Sequence, residues 1–288
     1  MVVTLIIKQN LKGEMKTKMR KQNVLRKLLN EGKPTLGTHV ITPWPGMFEV
    51  IGNSGVFNYI EYVAEYSTWT LPLLDDIGRT MELFPDMALM IKIEEQARGL
   101  LATRAIDAGF QSVIFTDIRS AEEVKEGIRY IRAETPEAGG LHGTNNRRHS
   151  GGYGGLRGGS ATIDWVKEMN DVVVVVMIEK KGAMENLDEI LSVKGVDMVQ
   201  FGPSDYSISM GKPGQAGSLE MQQAEQEMVK RALKKGVAAR VETGNPEEIK
   251  KYIEMGVRHF CIGTDLAVVS EWCKKQAKGG IRDLLASL

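Results

Sequence analysis

The chain has 288 residues, with 37 basic and 37 acidic side chains, no formal net charge, and 42% hydrophobic and 26% charged residues. That balance gives no electrostatic case for nucleic acid or an acidic membrane surface. Two cysteines, Cys261 and Cys273, imply no disulfide framework and point to a reducing cytoplasm.

The opening Val2–Ile7 run is too short for a membrane span or a signal-peptide core and has no basic region before it. Lys8, Lys12, Lys16, Lys18, Arg20 and Lys21 come next. Residues 1–22 therefore read as a solvated or docked basic extension, the alternative being a polyanion-binding arm. The globular domain is assigned to residues 23–288.

Asn23 to Asn30 predicts a helix with Val24, Leu25, Leu28 and Leu29 on one face, stopped by Gly32 and Pro34. Leu36 to Ile41 is a strand, and a helix starts at Met47. Phe57 to Ala64 is a strand leading into Glu65 and Tyr66, followed by a helix from Leu71 to Leu83. Ala88 to Ile93, the helix Arg98 to Ala108, Ser112 to Thr116 and the helix Ser120 to Ala133 continue the alternation. Ser-Ala-Glu-Glu at 120–123 has the form of a capping box.

Pro136 to Ser160 then breaks the pattern with a glycine-rich loop carrying Asn145, Asn146, Arg147, Arg148 and His149. It lacks the phosphate-loop spacing. It reads either as a lid or recognition loop or as a solvated surface loop. Ile163 to Met169 is a short helix. Val172 to Ile178 is a strand, Ala183 to Val193 a helix, and Met198 to Phe201 a strand running into Gly202-Pro203-Ser204-Asp205. Leu219 to Lys235 is helical, Gly236 to Glu242 a strand, Pro246 to Met255 a helix and His259 to Gly263 the last strand. A final helix from Ala267 to Leu285 breaks near Gly279-Gly280.

About eight strands alternating with helices predict a single (β/α)8 TIM barrel, and roughly 250 residues suit that fold. No dinucleotide glycine fingerprint follows the first strand. Barrel chemistry sits at the carboxyl ends of the strands. There the sequence places His39, Glu65, Tyr66, Lys92, Thr116, Asp117, Glu179, Ser204, Asp205, Glu242 and Asp265.

Glu179 and Asp205 end two consecutive strands, which a right-handed crossover makes parallel neighbours. Two carboxylates facing each other at one rim repel unless a cation lies between them, and a hard divalent ion suits that pair. The plain alternative is that each acid caps a helix or pairs with a lysine such as Lys180. Lys92 reads as a cation for an oxyacid, as a partner of Glu94 or Glu65, or as an amine nucleophile. His39 reads as an acid/base group or as a satisfied core histidine. His259 and Cys261 read as structural.

The segment MIEKKGAMENLDEIL, continued by GVDMVQFGPSDYSISMG, resembles the HpcH/HpaI family of metal-dependent pyruvate aldolases, and the likeness extends from about Asn23 to the C-terminus. The resemblance implies the same barrel and reversible aldol chemistry on a pyruvate-like 2-oxo acid and an aldehyde. It implies Mg²⁺ or Mn²⁺ at Glu179 and Asp205, and a substrate carboxylate at the backbone of Gly202, Pro203 and Ser204. It also implies homo-oligomers, trimers or hexamers, in which a C-terminal helix packs on a neighbour.

The departures are specific. Where the family has Asp-x-Glu-His after the second strand, this chain has Val63-Ala64-Glu65-Tyr66. The family arginine of the third strand is Lys92, which keeps the charge but loses the planar fork. The glutamine two positions before the metal glutamate is Met177, and Gly140 to Asn146 replaces the Arg-Gly loop. Tyr66, His39 or the glycine-rich loop is left to move the proton, with Glu65 holding a metal-bound water. The alternatives are a citrate-lyase β-type CoA-thioester lyase and a noncatalytic metal and oxyacid binder.

Overall fold

The computed structural model describes residues 21–144 and 160–288. The basic extension up to residue 20, and Asn145 to His149 with the rest of the glycine-rich loop through 159, lie outside the described residues.

Eight strands close into one barrel in chain order: β1 (Thr35–Val40), β2 (Tyr59–Val63), β3 (Ala88–Ile93), β4 (Ser112–Phe115), β5 (Val173–Ile178), β6 (Met198–Phe201), β7 (Ala238–Glu242) and β8 (His259–Thr264). Neighbouring strands are parallel throughout, and β8 returns to β1. The (β/α)8 architecture predicted from the alternation is the one observed.

Helices α1 (Val24–Asn30), α2 (Pro45–Asn53), α3 (Leu71–Met81), α4 (Arg98–Ala108), α5 (Ala121–Ile131) and α6 (Ser160–Asn170) accompany the first half. The second half carries α7 (Lys181–Glu185), α8 (Leu187–Ile190), α9 (Pro203–Ser209), α10 (Leu219–Lys234), α11 (Pro246–Glu254), α12 (Asp265–Ala277) and α13 (Ile281–Ala286). The single helix expected over 183–193 is two short ones. The break falls at Asn186, whose side-chain amide donates to the Arg119 carbonyl at 3.0 Å and so ties the chain to the loop after β4.

Strand side chains alternate between two cores, as a period of two requires. Val174, Val176 and Ile178 of β5 pack outward against the helices, whereas Val173, Val175 and Met177 fill the barrel interior. A fully buried aliphatic side chain contributes about 1.5–3 kcal/mol, so this alternation locks the register of each strand. It also fixes the direction of the carboxylate at the strand end: Glu179 continues the inward series 173, 175, 177.

The amino-terminal mouth is plugged by α1. Leu25 is buried among Tyr59, Met90 and Met198, and Arg26 forms a two-pronged salt bridge to Asp197, at 2.5 and 2.7 Å. Midway up, the Tyr59 ring lies across Gly37. A Cβ at position 37 would stand 2.2 Å from that ring, so only glycine fits.

Candidate active site

The carboxyl end of the barrel opens into a cavity of about 320 Å³. Its lining includes His39, Glu61, Tyr66, Lys92, Glu179, Gln200, Gly202, Pro203, Ser204, Asp205 and Glu242. Among the described residues, His39, Tyr66, Lys92, Glu179, Gly202, Pro203, Ser204 and Asp205, all expected from sequence to act on metal, substrate or proton, are in that lining, and Glu65 is not. Glu65 sits directly behind, with its Oε2 2.8 Å from Lys92 Nζ.

Glu179 leaves the end of β5 almost fully buried. Burial pushes its carboxyl up to about 7, against the opposing pull of a hydrogen bond from the Asp117 N–H and of Lys92. The Asp117 N–H donates to Glu179 Oε1 at 2.8 Å. Asp117 reaches that position with φ of 58°, a left-handed conformation that aspartate tolerates better than most residues. On the other side, Glu179 Oε2 lies against Gly202. A Cβ there would come within 2.7 Å of that oxygen.

Asp205 sits in the first turn of α9, which starts as Pro203 sets the helical φ. Its side chain is half exposed, and Lys180 Nζ donates to its Oδ1 at 3.2 Å while also meeting Asp117 Oδ1 at 2.7 Å. The lysine pairing weighed from sequence is therefore present for Asp205. For Glu179 it is not: the cation after it turns away to the two aspartates. A buried carboxylate with a raised pKa, a partly open second carboxylate and a glycine that clears space beside the first form an oxygen-donor set that fits a hard divalent ion.

Lys92 ends the inward series 88, 90, 92 on β3. Burial disfavours its charge, but Glu65, Tyr66 and Glu61 together outweigh burial and hold the ammonium above its ordinary pKa. Lys92 Nζ also donates to Tyr66 Oη at 3.4 Å and lies 4.9 Å from the Tyr66 ring centre. Burial likewise raises the Tyr66 phenol, so it keeps its proton at neutral pH.

Beside this group runs a polar network that the linear sequence does not assemble. Arg240, fully buried on β7, donates to Glu61, to Gln200 Oε1 and, at 2.8 Å, to Tyr59 Oη. Gln200 Nε2 donates to Glu242 Oε2 at 3.1 Å. His39 Nε2 lies 3.6 Å from Glu61 Oε2 and 3.7 Å from Glu242 Oε2. Burial would raise the Glu61 carboxyl, but Arg240, His39 and Lys92 together hold it below the usual carboxylate range. The available signal was parity: Glu61 interrupts Tyr-Ile-Glu-Tyr-Val and Arg240 interrupts Ala-Ala-Arg-Val-Glu at inward positions.

A profile of the HpcH/HpaI aldolase/citrate lyase family matches residues 74–271, which include Glu179, Asp205 and Lys92. The chain belongs to that family. It is 25% identical over 250 residues to a hydroxypyruvate/pyruvate aldolase of Delftia acidovorans, a match covering 86% of this chain and 89% of that one. It is 30% identical over 176 residues to a 4-hydroxy-2-oxo-heptane-1,7-dioate aldolase of Escherichia coli, covering 57% and 60% of the two chains. Among solved structures, an HpcH/HpaI aldolase from Desulfitobacterium hafniense superposes with a TM-score of 0.74 at 24% identity, over 88% of this chain and 95% of that one. The family relationship supports a lyase of aldolase type. Within this chain's barrel, the β7–β8–β1–β2 side is built on Arg240, Glu242, His39 and Glu61, and Tyr66 stands just past the end of β2.

Proposed function

We propose that the protein is a divalent-metal-dependent carbon–carbon lyase that cleaves or forms a 2-oxo acid through a pyruvate-type enolate, with an aldehyde as the second partner. The observation that carries this reading is the convergence of Glu179, Asp205, Lys92 and Tyr66 on one cavity at the carboxyl end of the barrel.

Glu179 and Asp205 would hold the ion, for which Mg²⁺ or Mn²⁺ suits an all-oxygen donor pair. When bound, it supplies Lewis-acid polarisation of the keto oxygen. The chain's own groups do the rest. The N–H groups at Ser204 and Asp205 open α9 and lack helical partners, so the Gly202-Pro203-Ser204 turn can receive the substrate carboxylate. Lys92, kept cationic by Glu65, supplies positive charge where the oxyanion develops. That same charge argues against an amine nucleophile, because a protonated lysine has no lone pair to attack a carbonyl. Tyr66 Oη, 3.4 Å from Lys92 Nζ, would pass the proton to or from the aldehyde oxygen.

Homo-oligomerisation is supported by α12 and α13, where Trp272, Leu284 and Leu285 stand exposed. No described helix is long and apolar enough to cross a membrane. A cytoplasmic setting fits the two free cysteines.

Exchange of the pyruvate methyl protons in heavy water, with and without Mg²⁺ or Mn²⁺, tests the reading without knowledge of the aldehyde. Metal-dependent exchange that disappears in Glu179→Gln or Asp205→Asn is expected. Absence of exchange with every divalent ion tried, despite metal binding, would refute it.

A further inference from the structure

We infer that Glu242 and Glu225 set the choice of aldehyde: they take a short, uncharged aldehyde bearing hydroxyl groups and turn away aldehydes that carry a carboxylate. The inference rests on the aldolase reading above and deepens it. Glu179, Asp205 and the Gly202-Pro203-Ser204 turn occupy the β5–β6 side of the cavity, and Lys92 and Tyr66 the β2–β3 side. The wall left for the second substrate is made by Glu242 of β7, Glu225 of α10 and Thr264 at the end of β8. A volume of about 320 Å³ lies at the small end of ligand pockets, which span about 300–1,000 Å³, so that substrate is short.

A carboxylate on the aldehyde would need a cation to receive it. Among the described residues, the basic side chains of the lining are His39 and Lys92, and both already face carboxylates. Lys92 is paired with Glu65 at 2.8 Å. His39 Nε2 lies 3.6 Å from Glu61 Oε2 and 3.7 Å from Glu242 Oε2, and its Nδ1 meets the Gly263 carbonyl at 2.9 Å. Arg240, behind the wall, is held by Glu61, Gln200 and Tyr59. An incoming carboxylate would meet Glu242 and Glu225 instead, a like-charge contact that works against the wrong substrate.

An ammonium on the aldehyde is equally out of place. Burial opposes a charged imidazole at His39, but Glu61, Cys261 and Glu242 together outweigh it and raise the pKa to about 10. The imidazolium and the Arg240 guanidinium then balance Glu61 and Glu242, two charges against two. Burial, with help from Glu248 and Glu242, also raises the Glu225 carboxyl.

What the wall does offer is hydrogen-bond acceptors. Gln200 Nε2 donates to Glu242 Oε2 at 3.1 Å, and Tyr252 Oη donates to Glu225 Oε2 at 2.6 Å. Among the described residues, nothing is bonded to the Oε1 of either glutamate. The Glu242 side chain is 48% exposed, so its free oxygen is open to a substrate hydroxyl, which would donate to it in a charge-assisted bond. The neighbours that hold Oε2 fix the direction of that acceptor.

The test gives the full-length protein pyruvate, Mg²⁺ or Mn²⁺, and one of four aldehydes: glyceraldehyde, propanal, succinic semialdehyde or 3-aminopropanal. We expect kcat/KM for glyceraldehyde to exceed each of the others by about 10–100-fold, the range that one hydrogen bond to a charged group supplies. In Glu242→Leu the advantage of glyceraldehyde over propanal should shrink about 10-fold. Any loss common to both aldehydes cancels in that ratio, and the wild-type comparison needs no variant. Equal use of glyceraldehyde and propanal, a preference for the acidic or the amino aldehyde, or a ratio unmoved in Glu242→Leu overturns the inference. Pyruvate methyl exchange in the same wild-type samples separates the two readings. Exchange alongside any of those results leaves the aldolase standing and removes only the aldehyde assignment, whereas absence of exchange removes both.

Discussion

Lys92 and Glu65 form a nearly buried ion pair, Nζ to Oε2 at 2.8 Å, at the carboxyl end of adjacent barrel elements. The pair turns a lysine on a barrel strand into a fixed cation rather than a nucleophile. Incubation with pyruvate and borohydride should therefore leave Lys92 unmodified by mass spectrometry. Lys92→Met should lower exchange of pyruvate protons about 10²-fold or more, the scale of losing one donor to a developing oxyanion. A covalent adduct on Lys92 would contradict this assignment.

Gly202 admits Glu179 by having no side chain. Gly202→Ala places a methyl group 2.7 Å from Glu179 Oε2. With β6 otherwise unchanged, the expected outcome is a folded protein whose Mg²⁺ or Mn²⁺ affinity falls about 10–100-fold, the range seen when support around a ligand is disturbed. Calorimetric metal titration alongside circular dichroism checks it.

Arg240 is fully buried and pairs Glu61. Arg240→Met strands that carboxylate without its strongest partner. A loss of about 3–5 kcal/mol in unfolding free energy is expected. Adding Glu61→Gln to it should restore part of the loss, because the stranded charge is removed. Urea unfolding of the two single variants and the double variant measures the coupling.

His259 is buried at the start of β8, with Nδ1 3.0 Å from Thr35 Oγ1. Burial, assisted by Arg258, lowers its pKa from 6.5 to about 4. The folded state thus binds fewer protons than the unfolded state between those values. Stability from this group is fully present above pH 6.5 and is lost as pH falls toward 4, by up to about 3 kcal/mol. Thermal midpoints across that window should fall less steeply in His259→Asn than in the wild type.

The barrel was legible because its strands are apolar runs spaced by amphipathic helices, and Glu179 and Asp205 were legible because each ends such a run. Tyr66, Lys92 and Glu65 followed from position at strand ends. Glu61, Gln200 and Arg240 did not, because a single polar residue inside an apolar strand looks local. Their meaning lies in pairing across the barrel, where Arg240 and Glu61 are 179 positions apart in the chain. Asp117 was visible at the rim, but its backbone conformation, and hence its bond to Glu179, is a property of the turn after β4. The break at Asn186 likewise depends on Arg119, a residue on another loop.

Lys180 holds Asp205 and Asp117 at once, and the Asp117 backbone holds Glu179. In the proposed function, an ion arriving at Asp205 Oδ1 would compete with an ammonium that already pairs that oxygen. Metal uptake at the proposed site would then be in part an exchange of one cation for another, and its affinity would report the grip of Asp117 on Lys180 as well as the ligands themselves. Residue 117 would thereby set how readily such a centre loads and discharges without ever touching the ion.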